Sequence, residues 1–388
     1  MNVLYLTNKP IYPSVDGGCV AMASFLNHLL QIYPKVHHLT IETHKHPFNK
    51  IAYEHLKKKD FIVESVFLNT KISTWKAFKN LFSTSSYNVN RFHSQAFEEK
   101  LTQYLSNKYD IIFLESIYML PYLSILRKDT NAKIILRTPN IEFKIWEKRT
   151  SNTNNLLKKI YLNILTKKLK NFELNNLNLV DGILTISKFD ENFIQSLNTN
   201  KPIMNLPFSI QCAEQITQIE KNHYFFIGAY NWQPNLDAIN YLIKVLFPKI
   251  LKANPKSTLH IAGSYTPESL YKFQSDSIKI YGKVDSVIDF MSRSGILIAP
   301  IFSGSGVRIK ILEALSLGIP VIGSKIAIQG INSEACFIAD SDDDYISIIQ
   351  EIENSEIIDI QNKAVKYINE NYHHSKIEIE LDEFVKKC

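Results

Sequence analysis

Two cations and one carboxylate follow a glycine-bearing loop in residues 303–313. The polar and glycine residues of this segment are, in order, Ser303, Gly304, Ser305, Gly306, Arg308, Lys310 and Glu313. Glycine lets backbone N–H groups approach a ligand closely, and arginine and lysine bind phosphate through charge-assisted hydrogen bonds. These residue types at this spacing therefore indicate a site for an anion, most simply a phosphate.

The flanking residues predict the elements that would position this loop. Residues 295–300 (GILIAP) are a short apolar run typical of a buried strand. Apolar residues then recur at helical spacing from Val307 to Leu315, and Gly318 with Pro320 is a helix stop signal before a second strand at 319–322. In this arrangement a helix N-terminus meets a phosphate at the carboxyl edge of a parallel sheet. Arg308 and Lys310, in the predicted first turn, would oppose the helix dipole unless an anion shares the site.

A purely structural alternative stays open at this point. A glycine loop before a helix is often only a tight connection. Lys310 and Glu313 are spaced i,i+3, so they can equally form a surface salt bridge that contributes a few tenths of a kcal/mol.

Composition is that of an ordinary globular protein. The 388 residues predict two or three domains, with 45% hydrophobic and 21% charged residues. No apolar run approaches the ~18 residues of a membrane-spanning helix, and the N-terminus MNVLYLT lacks the basic region of a secretion signal. Four scattered cysteines form no metal-ligand spacing. We therefore expect a cytoplasmic protein with reduced thiols and no metal site.

Charge is distributed unevenly along the chain. Residues 1–207 carry 27 Lys+Arg against 16 Asp+Glu, a net +11, whereas the remainder carries 17 against 22, a net −5. A basic first half predicts contact with an anionic surface or ligand. Anionic lipid or a phosphate-bearing acceptor fits this half. Nucleic acid is not expected, because no zinc finger, RNA-binding signature or dense arginine stripe is present.

Strands and helices alternate along most of the chain, which predicts an α/β fold with parallel sheets. In the first half, short apolar runs lie at 1–7, 38–42, 61–68, 111–115, 133–137 and 180–186. Residues 144–179 predict one or two long helices that carry many lysines. Such a basic amphipathic segment either lies on a membrane interface or is a solvated face over a core. Ser187 is placed to cap the next helix. The two prolines of 201–207 (KPIMNLP) suggest a hinge.

In the second half, each strand is followed by a glycine. Strands are predicted at 223–227, 257–261, 277–281 and 295–300, and the glycines that follow them are Gly228, Gly263, Gly282 and Gly304 with Gly306. This repetition suggests that backbone approaches a ligand across the whole carboxyl edge. Asn235 or Asp237 is expected to cap the helix after Gly228, and helices are expected at 342–353 and 357–372.

Several segments in order resemble the two-domain GT-B glycosyltransferases of the retaining group 1 kind, sequence family 4. They are the PSVDGG loop ending at Gly18, RTPNIEFKIWEKR at 137–149, Phe172-Glu173, FFIGAYNWQPN at 225–235, IAG at 261–263, GKV at 282–284 and GSGVRIKILEALSLGIPVI at 304–322. The resemblance implies two Rossmann-like, doubly wound parallel-sheet domains that face a central cleft. Their expected bounds are 1–205 for the acceptor-binding domain and 206–370 for the nucleotide-sugar domain. A helical segment at 371–388 is expected to pack back toward the first domain.

The resemblance also implies roles for individual residues. Glu313 would accept hydrogen bonds from the ribose, and Arg308 or Lys310 would neutralise the diphosphate with backbone N–H groups near Gly304 and Gly306. The remaining donor-binding candidates are Gly17, Gly18, Gly228, Asn231, Gly282, Val284 and Ser305. No cofactor or metal is implied, since the donor is itself a substrate.

Two positions depart from the family pattern. Many members carry a glutamate, eight residues before the ribose-binding one, that holds the sugar hydroxyls; here it is Ser305, in a GxGxRxK branch of the loop. Many also carry His-Asn where this chain has Pro139-Asn140, so Asn140 and Glu142 become the polar candidates near the reacting sugar. For Glu142 the alternative is a helix-start salt bridge to Lys144 or Arg149.

The function implied is retaining transfer of a hexosyl group from a nucleotide-diphosphate donor to a glycan or lipid-linked acceptor, in bacterial cell-surface polysaccharide synthesis. The basic first domain would contact the inner face of the plasma membrane peripherally. Two alternatives remain: a non-catalytic scaffold or regulator of a partner transferase, suggested by the departures at Ser305 and Pro139, and a nucleotide-sugar epimerase.

Overall fold

The chain divides into two compact units in a computed structural model. The structure describes residues 1–56, 60–71, 75, 80, 83, 85–210, 216, 219–304 and 306–388. Unit 1 comprises residues 1–208 and 377–388, and unit 2 comprises residues 209–376. The C-terminal residues from Ile377 thus belong to the first unit, and the first boundary lies three residues beyond the expected one.

Unit 1 is built on a seven-stranded parallel sheet in the order β3-β2-β1-β4-β5-β6-β7. The strands are β1 (Asn2–Thr7), β2 (Lys35–Glu42), β3 (Phe61–Phe67), β4 (Ile111–Glu115), β5 (Lys133–Thr138), β6 (Gly182–Thr185) and β7 (Ile203–Asn205). The central strands are almost wholly buried, which explains why they are continuous apolar runs rather than alternating ones. The order is that of a doubly wound sheet.

Helices surround this sheet in the described part of unit 1. They are α1 (Gly17–Ile32), α2 (Tyr87–Asn90), α3 (Gln95–Leu105), α4 (Leu123–Asp129), α5 (Glu142–Ser151), α6 (Leu156–Leu177), α7 (Lys188–Gln195) and α16 (His374–Lys387), with 3₁₀ turns at Lys50–Tyr53 and Ile117–Tyr122. The segment 144–179 is therefore two helices. Ser187 caps α7 by accepting from the Asp190 N–H, as predicted.

Unit 2 is also built on a parallel sheet, with six strands in the order β10-β9-β8-β11-β12-β13. The strands are β8 (His223–Ile227), β9 (Thr258–Ala262), β10 (Ile278–Gly282), β11 (Ile296–Ala299), β12 (Val321–Gly323) and β13 (Cys336–Ile338). Its helices are α8 (Gln233–Tyr241), a π-helical turn (Leu242–Leu246), α9 (Phe247–Ala253), α10 (Glu268–Tyr271), α11 (Val287–Met291), α12 (Ile309–Ser316), α13 (Lys325–Ile328), α14 (Asp342–Asn354) and α15 (Ile357–Tyr372).

Residues 201–207, the expected hinge into the second domain, contain an edge strand, and the boundary between the two units follows Phe208. Ile203–Asn205 form strand β7, which pairs with β6 in parallel at the edge of the first sheet. Pro202 and Pro207 flank this strand, so neither removes a ladder hydrogen bond, and the Pro202 carbonyl accepts from the Ile183 N–H at 3.0 Å. Edge position is where a sheet tolerates nearby proline.

The start of α8 also differs from the prediction. The helix begins at Gln233, with Trp232 at the N-cap and Pro234 in the first turn. Proline fits there because the first N–H groups of a helix have no intrahelical partner. Asn235 and Asp237 therefore lie inside the helix and do not cap it.

Among the described residues, no helix combines the length and apolarity that crossing a bilayer would require.

Candidate active site

The site in unit 2 lies where the strand order reverses. β8 and β11 are neighbours, but the chain leaves them toward opposite sides of the sheet. In doubly wound sheets the crevice at the carboxyl ends of such a strand pair is the ligand site. Gly228 follows β8, and the loop of residues 300–308 follows β11 and leads into α12.

Lys310 lies in the first turn of α12 and points its ammonium group toward the turn after β8. Its Nζ donates to Asn235 Oδ1 at 2.9 Å and lies 4.1 Å from the centroid of the Phe226 ring. Asn235 Nδ2 in turn donates to the Ala229 carbonyl at 3.0 Å. Burial, with a smaller contribution from the nearby Arg308 charge, lowers the pKa of Lys310 to about 7. A cation this poorly solvated is stabilised by an anionic ligand.

Arg308 is the N-cap residue of α12 rather than part of its first turn. Its side chain is 6% exposed, its Nη1 donates to the Gly306 carbonyl at 2.7 Å, and its Cζ lies 5.6 Å from the centroid of the Trp232 ring. Burial lowers the pKa of Arg308. The guanidinium group is therefore held at the helix start, where a diphosphate would also find helix N–H groups.

Glu313 lies one turn after Lys310 and is partly buried. Burial raises the pKa of Glu313, and the Lys310 charge opposes that shift. The two side chains form no ion pair in the described structure, and Lys310 instead donates a hydrogen bond to Asn235. The surface salt-bridge alternative is therefore wrong, and the Glu313 carboxylate has no side-chain partner among the described ion pairs and hydrogen bonds.

Glycine at three neighbouring strand ends is explained by the chain's own packing. The Gly228 N–H donates to the Ala262 carbonyl at 3.2 Å, and the Gly263 N–H donates to the Gly282 carbonyl at 2.7 Å. A Cβ on Gly263 would lie 1.8 Å from the Gly228 oxygen, and one on Gly228 would lie 2.9 Å from Lys310 Nζ. Gly282 has φ +67°, a conformation that favours glycine. The turns at these neighbouring strand ends thus require glycine because they pack closely on one another. The repeated glycines therefore do not by themselves indicate a ligand.

The loop before α12 also needs glycine for conformational reasons. Gly304 and Gly306 have φ +113° and +80°. A Cβ on Gly304 would lie 3.1 Å from the Trp232 ring, so the loop packs closely on the start of α8. Ser305 lies outside the described residues. Asn231 is exposed and Val284 is partly exposed, each just after a strand-end turn.

The glycine pair of unit 1 lies at the start of α1, after the first strand. Asp16 caps this helix by accepting from the Cys19 N–H at 2.8 Å, and Lys9 Nζ contacts the same carboxylate at 2.8 Å. Burial opposes ionisation, but the Lys9 charge and the N–H donor prevail and lower the pKa of Asp16 to about 2. Gly17 is the first helical residue, and a Cβ on Gly18 would lie 3.1 Å from Lys9 Nζ.

Asn140 lies between β5 and α5, at the carboxyl edge of the first sheet, and Glu142 is the first residue of α5. The Asn140 carbonyl accepts from Thr138 Oγ1 at 2.7 Å. Glu142 Oε2 accepts from the Tyr118 hydroxyl at 3.1 Å, and burial raises the pKa of Glu142. No described ion pair joins Glu142 to Lys144 or Arg149, so that alternative is wrong.

Glu173, from the Phe172-Glu173 pair, completes this region. Its two carboxylate oxygens accept from the backbone N–H groups of Glu142 at 3.1 Å and Phe143 at 2.9 Å. It therefore caps α5 from a distance in sequence and fixes the position of Glu142. Burial raises the pKa of Glu173 to about 8.

Four of these residues were given no site role by the sequence. Asn235 was assigned to a helix cap, Trp232 and Glu173 were part of motifs without a stated task, and Tyr118 lies in none of the motifs. No local signal identifies Asn235, because its partner Lys310 is 75 residues away. The structure groups Gly228, Asn235 and Lys310, and separately Gly304, Arg308 and Trp232, in unit 2. Gly17, Gly18, Asn140 and Glu142 belong to unit 1.

Comparison with known proteins supports a transferase. Residues 221–354 match the family model described as "Glycosyl transferases group 1". A Klebsiella pneumoniae protein, described as an uncharacterized 44.6 kDa protein in the cps region, is 27% identical over 294 residues, which cover 70% of this chain and 73% of that protein. The family match supports a glycosyltransferase function.

Solved structures share this fold at low identity. Sucrose-phosphate synthase from Thermosynechococcus elongatus aligns with a TM-score of 0.69 and 12% identity, covering 100% of this chain and 98% of that one. The pneumococcal O-GlcNAc transferase GtfA, in complex with UDP and GlcNAc, aligns with a TM-score of 0.66 and 12% identity, covering 99% and 98% of the chains. The chain therefore has the GT-B fold, and it resembles the group 1 glycosyltransferases.

Proposed function

We propose that this protein is a retaining, metal-independent glycosyltransferase that moves a hexosyl group from a nucleotide-diphosphate donor to a glycan or lipid-linked acceptor. The observation that carries the proposal is the pair Arg308 and Lys310 at the start of α12, at the strand-order reversal of unit 2. Both cations are poorly solvated, with lowered pKa values, and a diphosphate would complete the site. GtfA is described as a complex with UDP, which supports this class of donor.

The catalytic contribution of unit 2 would be stabilisation of the leaving diphosphate. Negative charge grows on the leaving group as the sugar departs, and fixed positive groups stabilise that charge most in the transition state. Arg308 and Lys310 would supply the charge, and N–H groups near Gly304 and Gly306 would supply hydrogen bonds. The leaving phosphate would take the proton of the incoming hydroxyl on the same face, so no protein base is assigned.

The rest of the donor would be held by groups that lie along the same sheet edge. Glu313 would accept hydrogen bonds from both ribose hydroxyls, since a carboxylate can take two at once. Gly282 and Val284 would border the base, and Gly228 with Asn231 would line the donor site.

Unit 1 would bind the acceptor and contribute polar groups near the reacting sugar. Gly17 and Gly18 would approach the donor, and Asn140 with Glu142 would contact the sugar or the acceptor. The similarity to a Klebsiella protein of the cps region supports a role in bacterial cell-surface polysaccharide synthesis. The net +11 of residues 1–207 supports peripheral contact with the inner face of the plasma membrane.

Calorimetric titration with UDP tests the donor site. Glu313→Ala should weaken UDP binding by at least about 10–100-fold, because the loss of even one hydrogen bond to a charged acceptor costs ~1.5–3 kcal/mol. Glu334→Ala is the matched control, since that carboxylate is 76% exposed in the same unit. Equal UDP affinity in the wild-type protein and Glu313→Ala would remove Glu313 from the site.

A turnover assay separates the proposed enzyme from the two other function classes. Nucleotide sugars are screened by thermal shift, and the stabilising donor is then incubated with and without a crude lipid-oligosaccharide pool. Transfer, or slow donor hydrolysis, is expected. UDP binding with neither reaction would indicate a scaffold, and conversion of UDP-GlcNAc without acceptor would indicate an epimerase.

A further inference from the structure

Helix α6 exposes an apolar stripe on the side opposite its core face. The stripe consists of Leu156, Leu157, Ile160 and Ile164, whose exposed fractions are 71%, 79%, 51% and 39%. At about 100° per residue these four positions fall on one face of the helix. The core-facing side is formed by other residues, including Leu162, Leu165 and Leu169. The first half of α6 is therefore apolar on two opposite sides, and folding buries only one of them.

Basic residues surround this apolar stripe. Residues 148–172 contain seven lysines and arginines and no aspartate or glutamate. Lys159 is spaced i+3 from Leu156, and Lys167 is spaced i+3 from Ile164, so both lie beside the stripe on the helix surface. Lys148 and Arg149, at the end of the neighbouring α5, are also exposed.

We propose that the apolar stripe of α6 lies in the interface of an anionic lipid bilayer, with the surrounding lysines on the headgroups. Exposed leucine and isoleucine beside lysine is the pattern of helices that lie in the membrane plane. Among the described residues no helix meets the requirements for spanning, so the contact is peripheral. This assignment rests on the membrane contact included in the proposed function and is independent of the donor site.

Charge favours a bilayer over a second copy of this chain as the occupant. A two-fold interface would place the same patch against itself. Lys159 and Lys167, which lie beside the stripe, would then approach the same lysines of the second copy, and like charges across an interface disfavour association. An anionic leaflet instead attracts each lysine near its surface.

Vesicle sedimentation with the full chain tests the assignment. The vesicles are phosphatidylcholine with or without phosphatidylglycerol, at low and at physiological salt. The wild-type protein should prefer the anionic vesicles, and salt should weaken that preference. Leu156→Ser/Leu157→Ser should lower the partition coefficient by at least about tenfold, since each leucine loses its apolar burial. Lys159→Gln/Lys167→Gln should lower it about fivefold per lysine.

Matched controls come from unit 2. Ile358→Ser removes a side chain that is 64% exposed, and Lys366→Gln removes a charge whose side chain is 73% exposed. Neither should alter sedimentation. Circular dichroism and the thermal midpoint of each variant establish that it is folded. We expect all of them to fold, because the altered side chains are exposed.

Three results would overturn the assignment, each in a different way. Wild-type protein that binds neither vesicle removes the membrane contact itself. Binding that survives both double substitutions places the contact elsewhere on the protein. A lipid-free dimer that Leu156→Ser/Leu157→Ser dissociates makes the stripe a protein interface. UDP affinity, measured in parallel, should be the same for all these variants, so failure here is distinguishable from failure of the donor site.

Discussion

Replacing Lys310 with methionine should lower kcat for sugar transfer by about 10²–10³-fold, the usual effect of removing one transition-state charge contact. Methionine keeps most of the length and apolar volume of the side chain but removes the ammonium group. The hydrogen bond to Asn235 is lost, and so is the contact with the diphosphate that we propose for this ammonium group. Steady-state transfer kinetics with the donor found by thermal shift give the measurement.

Lys325→Met is the control, since Lys325 is an exposed lysine of the same unit. It should leave kcat unchanged. A Lys310→Met enzyme with wild-type kcat would show that Arg308 alone meets the leaving group, or that the reaction occurs elsewhere.

The pH dependence of UDP binding checks the same charge. Because the pKa of Lys310 in the empty site is lowered to about 7, the group is increasingly neutral as the pH rises above that value. UDP affinity in the wild-type protein should therefore fall as the pH rises above about 7, with proton uptake on binding, and Lys310→Met should lack this dependence on pH.

The stability of the unliganded protein should depend on pH in the opposite direction. Between about pH 7 and pH 10 Lys310 is protonated in the unfolded chain but increasingly neutral in the folded one. The free energy of unfolding should therefore increase with pH over that range.

Replacing Arg137 with methionine should reduce the free energy of unfolding of unit 1 by about 3–5 kcal/mol. Arg137 is 1% exposed in β5, and its Nη1 donates to Glu115 Oε1 at 2.5 Å. The Tyr5 hydroxyl donates to the other Glu115 oxygen at 2.5 Å, so the network joins β1, β4 and β5. Without Arg137 the buried Glu115 carboxylate has no cation to compensate its charge. Urea unfolding followed by circular dichroism measures the change.

Two comparisons make this stability prediction specific. Arg127→Met removes an ion pair to Asp181 whose arginine is 38% exposed, and it should cost about 1 kcal/mol or less. Arg137→Met/Glu115→Met should recover much of the lost stability, because no unpaired charge then remains buried. A single Arg137→Met variant as stable as the Arg127→Met control would contradict the prediction.

The amino-acid sequence by itself determined the fold class and the strand, glycine loop and helix of residues 296–316. Continuous apolar runs separated by helical patterns specify parallel strands buried on both faces, and both sheets have that form. The spacing of Gly304, Gly306, Arg308 and Lys310 is local, so the loop and the start of α12 could be predicted from neighbouring residues. The resemblance to group 1 glycosyltransferases is visible in the sequence for the same reason, since its motifs are short contiguous segments.

Contacts between distant segments were decided only by the tertiary structure. Strand order placed β8 beside β11, and this brought Asn235 to Lys310, a pairing that no local pattern encodes. The same packing explained Gly263 by a neighbouring carbonyl, placed an edge strand at 203–205, and gave Glu142 a tyrosine partner instead of a salt bridge. The packing of unit 1 also decided which side of α6 is buried. The sequence shows apolar residues around that helix, but burial depends on which neighbours fold against it, and this leaves Leu156 and Leu157 exposed.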